Sequence, residues 1–103
     1  MSLDLISAQH QHQIDGTQRI FSLDEDFHAR LLALAQPRTS YPLLHKMRDY
    51  YAETVFLLGE LRALHAELAR ITSKFTDRSQ ARELSRFVVQ AIADGDNLYA
   101  TAD

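Results

Sequence analysis

The chain holds 103 residues, 46% of them hydrophobic, with 14 acidic against 11 basic side chains and a formal net charge of −3. That length suits one domain and leaves no room for a second, and so short a chain buries only a modest share of its surface, so pairing with a second copy would add stability. Cysteine is absent, which excludes disulfides, thiolate catalysis and cysteine-ligated metal sites, and the mild acidity disfavours nucleic acid and anionic lipid as partners.

No apolar run approaches the roughly 20 residues of a membrane span. The opening MSLDLISAQHQHQIDG lacks the basic start and apolar centre of a secretion signal. The simplest reading is a cytoplasmic protein with no membrane partner.

Residues 1–16 are polar and end in the turn signal Asp15-Gly16, which predicts a loosely ordered arm ahead of a single helical domain over 17–103. Thr17 to Phe21 has the composition of a short strand. A first helix is predicted over 23–35. Ser22 and Glu25 match a capping box, acidic residues crowd the first turn, and Leu23, Phe27, Leu31 and Leu34 fall on one face before Pro37 stops the run.

A second helix is predicted over 42–51, capped by Thr39 or Ser40, with Leu43, Met47 and Tyr50 as its apolar stripe. A third follows over 58–75, where Leu57, Leu61, Leu64, Leu68, Ile71 and Phe75 alternate by four and three. The two share one heptad phase, so a single helix over 42–75 is the alternative; Thr54-Val55-Phe56 and Gly59 favour a break near 52–57. The last helix is predicted over 78–94, ended by Gly95 in a left-handed conformation. The tail Asn97–Thr101 is strand-like and is expected to pair with 17–21. The expected fold is therefore mainly α: a compact bundle of three or four helices with a short two-strand ribbon formed near the two ends.

Chemistry is sparsely signalled. His10 and His12 lie close in sequence, and Glu25 with His28 forms one Glu-x-x-His half-site. A di-iron bundle needs a second half-site, and Pro42 and Arg62 stand where its glutamate should precede His45 and His65. His45 and Asp49 share a helical face. No nucleophile elbow, phosphate loop or HExxH is present, and Asp94-Gly95-Asp96-Asn97 lacks the ligand pattern of a calcium loop. No catalytic residue, metal or cofactor is assigned, and an enzyme is disfavoured; a metal-dependent helical enzyme remains one alternative.

A DNA-binding regulator of helix-turn-helix type is the other alternative, with QPRTS as the turn and His45, Lys46 and Arg48 on the second helix. The favoured reading is a non-enzymatic protein-binding module, a regulator or inhibitor of another protein. Its candidate partner-binding residues are the ridge Arg78, Arg82 and Arg86, suited to an acidic partner, and Tyr50, Tyr51 and Tyr99, with Tyr41, where these aromatics are exposed. The seam from Leu57 to Phe75 is read as the domain's own core, with a homodimer or partner groove as the alternative.

Overall fold

The computed structural model describes residues 3–50 and 52–102. Strands β1 (Leu3–Ala8), β2 (Ile20–Leu23), β3 (Thr54–Phe56) and β4 (Asn97–Ala102) form one sheet, and helices α1 (Glu25–Leu34), α2 (Leu58–Thr72) and α3 (Ser79–Asp94) lie against it. The expected helical bundle is thus replaced by an α+β fold with a four-stranded antiparallel sheet of order β2-β1-β4-β3. The two-strand ribbon is corrected as well. β4 does not meet β2, because β1, drawn from the expected loose arm, lies between them and pairs with both.

Register fixes which side chains share a face. Leu5 lies opposite Phe21 on one side and Ala100 on the other, and Phe56 opposite Leu98. Phe21 packs against the core under the helices, and the others belong to it with Leu3 and Leu23. The opposite face carries the row Ile20–Ile6–Tyr99–Val55. Ile6 and Tyr99 are buried there, and Asn97 Nδ2 donates to the Gln9 carbonyl at 3.0 Å, tying the β1–β2 connection to the sheet.

The helix expected over 42–51 does not form. Its place is taken by a 3₁₀ turn at Leu44–Met47 within irregular chain, after another at Arg38–Ser40. Tyr41, Leu44, Met47 and Tyr50 are the buried hydrophobic residues of this stretch, spaced by three rather than by 3.6, which is the repeat of a 3₁₀ turn. The break expected near 52–57 is present as β3.

α1 begins later than expected. Asp24 is its N-cap, accepting the Phe27 N–H at 2.7 Å. Ser22 belongs instead to β2 and donates its hydroxyl to Asp4 at 2.7 Å.

α2 and α3 form an antiparallel hairpin whose burial repeats: residues 61–72 and 81–92 show the same order of buried, half-buried and exposed positions. Leu61, Leu64, Leu68 and Ile71 of α2, and Ala81, Leu84, Val88 and Ala91 of α3, are at most 2% exposed. The leucine seam is therefore internal core, except Leu57 at 57% exposure. Gly95 closes α3 at φ 72°, and Asp96 N–H returns to the Ala91 carbonyl at 2.9 Å. Among the described residues no helix is long and apolar enough to cross a membrane.

Because Leu64 and Leu68 fill the helix–sheet interface, Leu64→Ala or Leu68→Ala should each lower unfolding free energy by about 2–5 kcal/mol in urea titration. A change near zero at both positions would refute this core.

Candidate functional site

The buried polar residues have the composition of a catalytic site but the bonding of a scaffold. His28 Nε2 lies 2.6 Å from the Met47 carbonyl and His45 Nε2 lies 2.8 Å from that of Ala35. A carbonyl only accepts, so each ring nitrogen facing one carries the proton. Glu67 is 4% exposed, and its carboxyl oxygens accept the N–H groups of Leu43 at 3.1 Å and Leu44 at 2.9 Å. Tyr50 donates to the Leu23 carbonyl at 3.0 Å, its ring edge against His28. Among the described residues, no buried side-chain nitrogen or oxygen lacks a hydrogen-bond partner.

Lys46 performs a related task nearer the surface. Its ammonium donates to the Val55 carbonyl at 2.6 Å and to the Glu60 carboxylate at 3.0 Å, and it sits 5.0 Å from the Phe56 ring centroid. Glu60 in turn accepts the Leu57 N–H at 2.9 Å, the returning half of a capping box at the start of α2. That backbone donor, followed by the Lys46 ammonium, holds the Glu60 carboxyl below its ordinary value.

These contacts dispose of the two signals read from sequence in this stretch. The second helix of a helix-turn-helix is absent, His45 and Lys46 are engaged, and Arg48 donates to the His45 carbonyl at 3.0 Å. His28 points into the core whereas Glu25 is exposed, so the Glu-x-x-His pair does not converge. His10 and His12 stack with centroids 5.4 Å apart on the exposed β1–β2 connection. Among the described residues no three His, Asp or Glu side chains are grouped to hold a metal ion.

The candidate partner-binding residues separate into two groups. Tyr50 and Tyr99 are each 8% exposed, and Tyr41 is buried with the Arg70 guanidinium 4.6 Å from its ring, so the exposure that interface aromatics require is missing at all three. Tyr51 lies outside the described residues. Arg82 and Arg86 are exposed on α3, while Arg78 stands at its N-cap and donates to the Ser73 carbonyl at 3.2 Å.

Residues not singled out in sequence join them. The repeated burial pattern aligns Arg62, Ala66 and Ala69 of α2 with Arg82, Arg86 and Val89 of α3, and all six are exposed. A shallow groove here is lined by His65, Ser85, Arg86, Val89 and Gln90. Val89 is 48% exposed and Leu58, on the same side of α2, 39%. Among the described residues, the side chains of Arg62, Arg82 and Arg86 form no hydrogen bond or ion pair. An amphipathic reading of α3 marks its outward stripe, but nothing in the sequence indicated that α2 would lie beside it.

No protein-family model, curated protein or solved structure matches the chain.

Glu67→Gln should cost about 1–3 kcal/mol in denaturant unfolding, because an amide NH₂ must face one of two backbone N–H donors. An unchanged midpoint would show that the carboxyl is dispensable. Glu60 makes a second, pH-dependent prediction. Its folded value is lowered from 4.5, so its contribution is full above that value and is lost as pH falls through the lower one. Glu60→Gln should therefore be less stable than the parent near neutrality, and the gap should narrow in acid; a gap independent of pH would contradict the assignment.

Proposed function

We propose that the protein is a small non-enzymatic protein-binding module, a regulator or inhibitor of another protein, and that it engages its partner through the outward face of the α2–α3 hairpin. One observation carries this reading. On a chain of net charge −3, the arginines Arg62, Arg82 and Arg86 stand exposed on one face, unpaired among the described residues, beside exposed Val89 and Leu58.

Cations without internal partners add little to the stability of the isolated domain. Set among apolar side chains, they suit recognition, where arginine forks bind carboxylates and a small apolar centre supplies contact area. The buried histidines, Glu67 and Tyr50 support the same reading from the other side. Each is committed to a backbone group that shapes the scaffold, which leaves the outer helical surface to meet other molecules.

The reading is tested by capture from the native host's lysate with the tagged wild-type chain and with Arg82→Glu/Arg86→Glu, identifying co-purified proteins by mass spectrometry. The expected result is one dominant, stoichiometric partner for the wild type, lost from the charge-reversed variant although its circular dichroism is unchanged. Recovery of the same partner by both proteins, or of none by the wild type, would overturn the proposal.

A further inference from the structure

We infer that the free edge of β2 is a pairing surface for a second copy of this chain. The two β2 strands run antiparallel about a two-fold axis at Phe21 and join their four-stranded sheets into one. This pairing is independent of the α2–α3 face. In an antiparallel pair, alternate residues bond the neighbouring strand and those between them point away. Ser7 N–H donates to the Arg19 carbonyl at 3.1 Å. Arg19, Phe21 and Leu23 therefore face β1, and the N–H and C=O groups of Ile20 and Ser22 point outward. Among the described residues nothing bonds those four backbone groups.

The two edges of the sheet differ. By the same alternation Leu98 and Ala100 bond β3, which leaves Val55 as the outward residue of the opposite edge. Its carbonyl is taken by Lys46 Nζ at 2.6 Å, and a lysine there deters another strand. β2 has no such guard. Ile20 is 49% exposed, Ser22 is exposed, and Phe21 is half-buried against Phe27 and Phe87. The nearest cation in sequence, Arg19, is turned to Asp94 and the Phe87 ring. An open edge carrying apolar side chains is a template for strand addition.

What selects a second copy over a foreign strand is the match of β2 to its own reversal. Pairing about Phe21 sets Ile20 opposite Ser22 of the second copy, and Ser22 opposite the second copy's Ile20. Every outward group of both strands is then used, each opposed pair exchanging two backbone hydrogen bonds. Phe21 faces its own copy, Arg19 faces Leu23 and Gln18 faces Asp24, so no like charges meet. A slip of one residue turns outward groups against inward ones, and a slip of two sets Ile20 or Ser22 opposite a residue beyond β2. The exposed Ile20 side chains become diagonal neighbours on one face, about 7–8 Å apart. The joined sheet ends in β3 on both sides, where Lys46 stands, so assembly closes at two copies instead of running on as a fibre.

Sedimentation equilibrium of the full chain from about 1 μM to about 1 mM, a range that resolves micromolar constants, should show reversible dimerisation. Ile20→Lys should raise the dimer Kd about tenfold or more. Ile20→Pro, which removes an outward N–H and no bond to β1, should do the same. Both variants should keep the wild-type circular dichroism, and Arg82→Glu/Arg86→Glu should leave the constant unchanged. Register is read by cross-linking, since the chain has no cysteine of its own. Opposed residues of this register stand about 5.5 Å apart at Cα, within disulfide reach. With oxidised glutathione, a mixture of Ile20→Cys and Ser22→Cys chains should therefore form disulfide-linked dimers several-fold faster than either variant alone. Equal cross-linking of the mixture and the single variants, or dimerisation indifferent to both Ile20 variants, would overturn the pairing. So would a wild type that stays monomeric throughout, which would leave the edge to a strand of another protein. Dimerisation lost in Arg82→Glu/Arg86→Glu would also overturn it, by placing the second copy on the α2–α3 face.

Discussion

The two carboxyl oxygens of Glu67 hold the N–H groups of Leu43 and Leu44 in the interior, and the path of the chain between α1 and β3 depends on that contact. Among the described residues of 35–53 there is no long helix or strand to satisfy the backbone. Buried N–H and C=O groups in such a segment must find partners elsewhere. Glu67 supplies acceptors from α2, His28 supplies a donor from α1, and His45 and Lys46 reach from within the segment to Ala35 and Val55. With those bonds in place, Tyr41, Leu44, Met47 and Tyr50 can turn inward together.

The same contacts explain why polar residues that suggest chemistry serve architecture. A histidine whose ring N–H is fixed on a main-chain carbonyl positions the chain, and its orientation is set by the scaffold rather than by a reacting group. Lys46 couples three elements, joining the 3₁₀ turn to the edge strand β3 through the Val55 carbonyl and to the first turn of α2 through Glu60. A lysine on an edge-strand carbonyl also occupies an acceptor that another chain could otherwise use. On the outer surface of the α2–α3 hairpin, by contrast, the side chains of Arg62, Arg82 and Arg86 have no hydrogen-bond or ion-pair partner among the described residues.

Much of the helical part was legible because its signals are local. The alternation of Leu61, Leu64, Leu68 and Ile71 marks the inward face of α2, and Gly95 marks the end of α3. The strands were harder to read. β1 is Leu-Asp-Leu-Ile-Ser-Ala, only six residues, with no turn signal before it and a leucine content that suits a helix as well as a strand. It became the central partner of β2 and β4 only because both arrived beside it. The apolar spacing at Leu43, Met47 and Tyr50 suggested a helix, but the buried set is spaced by three. Spacings of three and four coincide over so short a window, and the bonds to Glu67 and His28 decide between them.

Taken alone, the sequence determined a cysteine-free chain of single-domain size, the course of α2 and α3, the interruption near residue 54 and the arginine stripe of α3. Those features rest on composition and on side chains within one or two turns of each other. Tertiary structure alone decided that Leu3–Ala8 is an inner strand, that 42–50 is not a helix, and that His65 lies beside Ser85, Arg86 and Val89. Each of those outcomes depends on backbone or side-chain partners 20 to 90 residues away, such as Ser7 with Asp96 or Leu44 with Glu67, and no local periodicity records them.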